Sequence, residues 1–203
     1  MKLYLASYAM TTMAKIIEHE GRDLTKKKAI FIPTAGDSYN NRDFVEADRI
    51  ALEKYGLDTI EMDVKNRSEE EIREAIDGVD VVLVAGGNTF YLMEKLKKSG
   101  ADKVIKEFIE KGGMYIGSSA GSIICCPTIE GAEEFDDPSL APKLDNFDGM
   151  GIFKDVIIPH TQKKKYFERV KKTTEKLKSK GYKVYQLTDD NVLFFDGNSS
   201  VIL

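Results

Sequence analysis

The chain has 203 residues, 42% hydrophobic and 32% charged, a composition that suits an ordinary globular fold with one ample core. Its net charge of −4 argues against nucleic acid as the main partner, and no apolar run approaches the roughly 20 residues of a membrane span. The two cysteines, Cys125 and Cys126, are adjacent, which gives neither a disulfide framework nor a spaced thiolate metal motif and points to a reducing cytoplasm.

Apolar runs of strand length alternate with helix-period segments. "KLYLAS" (2–7) fits a first strand better than a secretory signal, because polar Ser7 and Thr11-Thr12 interrupt it. A short helix is expected over 10–20, a strand over 28–35, and a helix over 42–55 with Phe44, Ala47, Ile50 and Ala51 on one face. "DTIEMD" (58–63) alternates as a strand, and "SEEEIREAI" (68–76) starts a helix with a serine cap and a glutamate three places on. "VDVVLVAGG" (79–87) is continuously apolar, the pattern of a strand buried on both faces. Helical segments follow to about residue 110, broken by Gly100, and "GMYIGSS" (113–119) is the next strand.

Repeated strand-then-helix order predicts an open, mostly parallel α/β sheet with helices on both faces. From 128 to 154 the pattern loosens into an acidic segment rich in Gly, Pro and Asn, which in a compact fold is a functional loop or a surface excursion. A short strand (155–159), a lysine-rich helix (162–179) and three strands, "YKVYQLT", "VLFFDG" and "SVIL", follow, the last three read as an antiparallel edge of the sheet. Without a repeat or linker-like stretch, one domain spanning 1–203 is expected.

"GSSAG" (117–121) carries a G-x-S-x-G pattern between a strand and a plausible helix, the context of a nucleophile elbow. The other reading is that small residues let a helix pack close to a strand. Ser118 and Ser122 are weaker candidates, the first expected to point into the sheet and the second to lie within the helix. A serine hydroxyl needs a base, and the chain offers two histidines. His19, between glutamates at a polar helix end, reads as a solvated residue. His160 ends the run "VIIPH", where open α/β sheets place their sites, although it also suits a helix cap. Asp189 and Asp190 follow a strand, while Glu130, Glu133, Glu134, Asp136 and Asp137 are rival carboxylates, and spacing alone leaves that choice open. A second small-residue turn, Gly86-Gly87-Asn88-Thr89, lets backbone N–H groups approach another loop closely, and either Asn88 or Thr89 suits the cap of the next helix.

Three ordered motifs, "VLVAGGNTFYL", "KGGMYIGSSAGSIICCPTI" and "IIPH", resemble those of the peptidase E (aspartyl dipeptidase) family of serine peptidases, and the resemblance runs nearly end to end. It implies a class I glutamine amidotransferase-like fold, Ser119 as nucleophile, His160 as general base, and the Gly87 and Ala120 N–H groups as oxyanion hole. The family's acid corresponds either to Glu134 or to Asp189. Asp189 is favoured, with Asp190 as its neighbour and rival, because it ends a strand and holds a histidine more firmly than a loop glutamate would. The implied activity is a cytoplasmic peptidase acting on short peptides, as a monomer or homodimer, without metal or organic cofactor. One departure stands out. The family's substrate-binding arginine has Tyr166 as its nearest counterpart, with Lys163–Lys165 before it and Arg169 a turn later, which argues against strict aspartyl specificity. A cyanophycinase-like isopeptide hydrolase and a non-catalytic ligand-binding module of the same fold are the alternatives.

Overall fold

The structure, a computed structural model, describes residues 1–203. Its strands are β1 (Lys2–Ala6), β2 (Lys28–Ile32), β3 (Asp58–Glu61), β4 (Val81–Val84), β5 (Met114–Ser118), β6 (Val156–Ile158), β7 (Val184–Gln186), β8 (Val192–Phe195) and β9 (Ser200–Ile202). Its α-helices are α1 (Ala9–Glu20), α2 (Asp43–Lys54), α3 (Glu69–Ile76), α4 (Thr89–Ser99), α5 (Ala101–Glu110), α6 (Ala120–Ile123) and α7 (Phe167–Ser179). None of the helices is long and apolar enough to cross a membrane.

Seven strands form the main sheet in the order β3-β2-β4-β5-β1-β8-β9. The first five are parallel, and β8 and β9 add an antiparallel edge. Period-two alternation sends Leu3 and Leu5 of β1 into one core and Tyr4 and Ala6 into the other. β4 does the same, Val82 and Val84 against Val81 and Leu83, which is why its sequence is apolar without a break. The smaller core of 18 buried residues lies under α1 and α2, and the larger of 39 draws on α3, α4, α5 and α7. The capping box at the start of α3 forms as its sequence predicts, with Ser68 accepting from the Glu71 N–H and Glu71 from the Ser68 N–H. Gly100, at φ 78°, separates α4 from α5.

One expectation about the C-terminal third is corrected. "YKVYQLT" does not join the antiparallel edge: its β7 pairs in parallel with β6, in a separate two-stranded sheet. The cause is the connection, since a strand–helix–strand crossover through α7 brings the chain back in its starting direction. Only β8 and β9 form the antiparallel edge. The loose segment 128–154, expected to be a functional loop or a surface excursion, is anchored in the larger core. It carries short 3₁₀ turns at Glu130–Ala132 and Pro138–Leu140, and it buries Ile129, Ala132, Met150, Ile152 and Phe153 in the larger core.

Candidate active site

β4, β5 and β1 are neighbours in the sheet, and their carboxyl ends place Gly87, Ser119 and Ser7 close together. Ser119 has φ 49° and ψ −105°, a sparsely populated conformation for a residue with a side chain. This strained turn requires small neighbours. A Cβ on Gly121 would lie 2.1 Å from the Val84 carbonyl oxygen, and one on Gly117 would lie 2.5 Å from that of Gly121. Both glycines of the G-x-S-x-G pattern therefore serve close backbone approach, and the same geometry lifts the Ser119 hydroxyl out of the sheet. Ser118 is buried and accepts the Ala9 N–H at 3.0 Å, while Ser122 donates to the Ala6 carbonyl at 2.7 Å. Both are structural.

Ser119 Oγ lies 3.0 Å from His160 Nε2. On the other side of the ring, His160 Nδ1 meets Asp189 Oδ1 in a short hydrogen bond. That contact fixes the tautomer: Nδ1–H donates to the carboxylate, which leaves Nε2 free to accept the Ser119 hydroxyl proton. Burial pushes the Asp189 carboxyl up, but hydrogen bonds from His160 and Ser7, together with the charges of His160 and Lys163, outweigh it and hold the group well below the usual carboxylate range.

His160 is itself in a left-handed conformation, at φ 61°. Its backbone N–H donates to Ser7 Oγ at 2.8 Å, and the Ser7 hydroxyl in turn donates to Asp189 Oδ1 at 2.9 Å. Sequence reading missed this role for Ser7. The available signal was a polar residue at the end of an otherwise apolar strand. Lys163 Nζ sits 3.2 Å from Asp189 Oδ2, so the lysine is committed to the acid.

The remaining candidates lie apart. Asp190 is exposed, and its backbone carbonyl accepts from Lys15 at 2.8 Å. Glu134 pairs with Lys172 of α7 at 2.6 Å. His19 is exposed and packs against Tyr4 and Phe194.

Gly87 adopts φ 145°, and a Cβ there would fall 2.0 Å from the Ala35 carbonyl oxygen, so only glycine fits. Its N–H enters none of the backbone pairings around it. Ala120 opens α6, where a first-turn N–H has no partner within its own helix. Asn88 caps α4 by accepting the Tyr91 N–H at 2.8 Å. Gly87, Ser119, His160 and Asp189 line a cleft of about 380 Å³, at the small end for ligand pockets. No group of three or more His, Cys, Asp or Glu side chains is arranged to hold a metal ion. A hydroxyl hydrogen-bonded to an imidazole that a carboxylate orients, beside free backbone N–H groups, is the chemistry of acyl transfer.

Comparison with known proteins finds similarity to peptidases. The model of peptidase family S51 matches residues 5–203. An uncharacterized peptidase of Listeria innocua is 39% identical over 158 residues, which cover 78% of this chain and 75% of the relative. Peptidase E of Shigella flexneri is 32% identical over 135 residues, covering 66% of this chain and 56% of the relative. The crystal structure of a candidate peptidase E protein from Listeria monocytogenes superposes with a TM-score of 0.91 at 32% identity, over 100% of this chain and 97% of that one.

Proposed function

The chain belongs to peptidase family S51 and is a serine-type peptidase, and from that premise we propose that it hydrolyses short peptides through Ser119, His160 and Asp189. Ser119 Oγ attacks the scissile carbonyl while His160 Nε2 takes its proton. The Gly87 and Ala120 N–H groups stabilise the oxyanion, His160 returns the proton to the leaving amine, and water then releases the acyl group by the same steps. Asp189 holds the imidazole and balances its charge when protonated.

The observation that carries this reading is the 3.0 Å hydrogen bond from Ser119 to His160 at a strained strand-to-helix turn. The small cleft favours dipeptides and other short substrates over protein chains. Aspartate at the first position finds little support. Lys163 is the one lysine or arginine lining the cleft, and it is paired with Asp189.

The test is Ser119→Ala. Turnover of a dipeptide panel should fall by about 10⁶-fold, and stoichiometric labelling by a serine-directed fluorophosphonate should disappear. Labelling that persists in the variant would reject Ser119.

A further inference from the structure

The same cleft carries a second polar feature that peptide-bond chemistry does not use. Asp136, in the segment after α6, has one carboxylate oxygen committed to the fold: Oδ2 accepts the Thr89 N–H at 2.8 Å and the Thr89 hydroxyl at 2.6 Å. Oδ1 takes no hydrogen bond from the protein, and the residue lines the cleft beside His160. The other ionisable partners are already matched, His160 and Lys163 to Asp189. Asp136 is therefore the one cleft carboxylate without a cation. Burial raises its carboxyl, against the hydrogen bonds from Thr89 and the influence of His160.

Around it the walls are aromatic. Tyr39 and Phe44 pack edge to face at 5.4 Å between ring centres, Phe135 and Tyr166 at 5.5 Å, and Tyr8 adds a fifth ring. Arg169 stacks on Tyr166, 5.8 Å from its ring centre, and does not line the cleft. Edge-to-face pairs hold their rings rigidly and present apolar faces to whatever enters. An acidic side chain there would lose its hydration, find no free cation and face Asp136.

We propose that the cleft selects peptides with a free amino terminus and a large apolar or aromatic first side chain, the ammonium pairing with Asp136 Oδ1 and the side chain lying among the rings. This rests on the reading of Ser119 as nucleophile. A charge-assisted hydrogen bond to a positively charged amine is the strong kind, and it fixes the substrate with its first carbonyl toward Ser119. The rings supply apolar contact, and a hydrophobic site discriminates strongly against a charged intruder that must be desolvated.

The experiment compares kcat/KM for Phe-Leu, Leu-Leu, Asp-Leu, Arg-Leu and N-acetyl-Phe-Leu, with fluorophosphonate labelling of Ser119 as the control. Phe-Leu should exceed Asp-Leu by at least about tenfold, and acetylation should cost about 10–100-fold. Asp136→Asn should raise KM for Phe-Leu about tenfold or more while changing kcat by less than about threefold, and should leave N-acetyl-Phe-Leu unaffected. Tyr166→Arg, in the cleft wall rather than at the Thr89 contact, should shift the Asp-Leu to Phe-Leu ratio toward aspartate by about tenfold. Preference for Asp-Leu or Arg-Leu, equal loss on free and acetylated substrates in Asp136→Asn, or an unchanged ratio in Tyr166→Arg would each overturn the assignment. Labelled Ser119 with no discrimination between first residues overturns it alone. Absence of labelling overturns the nucleophile reading, and this inference with it.

Discussion

Ser7 and Asp189 stand 182 positions apart, yet the Ser7 hydroxyl donates to Asp189 Oδ1 at 2.9 Å while its oxygen accepts the His160 backbone N–H at 2.8 Å. One hydroxyl thus fixes both the carboxylate and the loop that carries the imidazole. Ser7 touches no reacting atom, so it is a positioning residue. Ser7→Ala should lower kcat by about 10- to 100-fold, the value of a hydrogen bond to a charged group, and leave KM within about twofold. Steady-state kinetics on one dipeptide separate the two. A variant with lower thermal stability but wild-type kcat would reduce Ser7 to a packing role.

The choice among acids has a direct kinetic signature. Asp189→Asn keeps the shape but favours the wrong imidazole tautomer, and kcat should fall by about 10⁴-fold. Glu134→Gln breaks only the pair with Lys172, and Asp190→Asn alters an exposed side chain, so both should stay within about twofold. A large loss in either of these, with Asp189→Asn near wild type, would move the acid elsewhere.

What the sequence disclosed followed from local rules. β4 was legible because burial on both faces demands an unbroken apolar run. The Ser119 turn was legible because its backbone strain excludes side chains two places away on either side. The pairing of β6 with β7 was not, since alternation says that a segment is a strand without saying which neighbour it takes. Asp136 was one of five carboxylates in a short stretch, and only the folded loop shows which faces the cleft and which, like Glu134, faces a surface lysine. Ser7 escaped because its partners come from the far end of the chain.

The close approach at the elbow predicts a stability contrast between glycines. Gly121→Ala would put a methyl 2.1 Å from the Val84 carbonyl oxygen, with backbone on both sides of the contact. It should cost about 3 kcal/mol or more. Gly112→Ala meets nothing within 4 Å and suffers only from its φ of 94°, so about 1 kcal/mol is expected. Urea unfolding of the two variants measures both, and equal losses would mean that strand and helix separate easily at this turn.

Asp48 on α2 predicts how stability responds to pH. It is fully buried, its Oδ1 accepts the Met10 N–H at 2.9 Å, and its Oδ2 has no hydrogen-bond partner. Burial lifts its carboxyl to about 7, against the lowering effect of the neighbouring Ser118 hydroxyl and of the Met10 N–H. In the unfolded chain the group titrates near the ordinary value of 3.8. Between those values the native protein holds a proton that the unfolded chain has released, so stability falls as pH rises through this window and the contribution is complete only below it. Asp189 is displaced the other way, so its contribution is lost below the ordinary carboxylate range and does not mask the effect. Asp48→Asn keeps an acceptor for Met10 and cannot ionise. Unfolding free energies at pH 5 and pH 8 should therefore drop more in the wild type than in Asp48→Asn. Equal drops in the two proteins would mean that Asp48 is already ionised in the folded state at pH 5, with its second oxygen satisfied by a partner such as bound water.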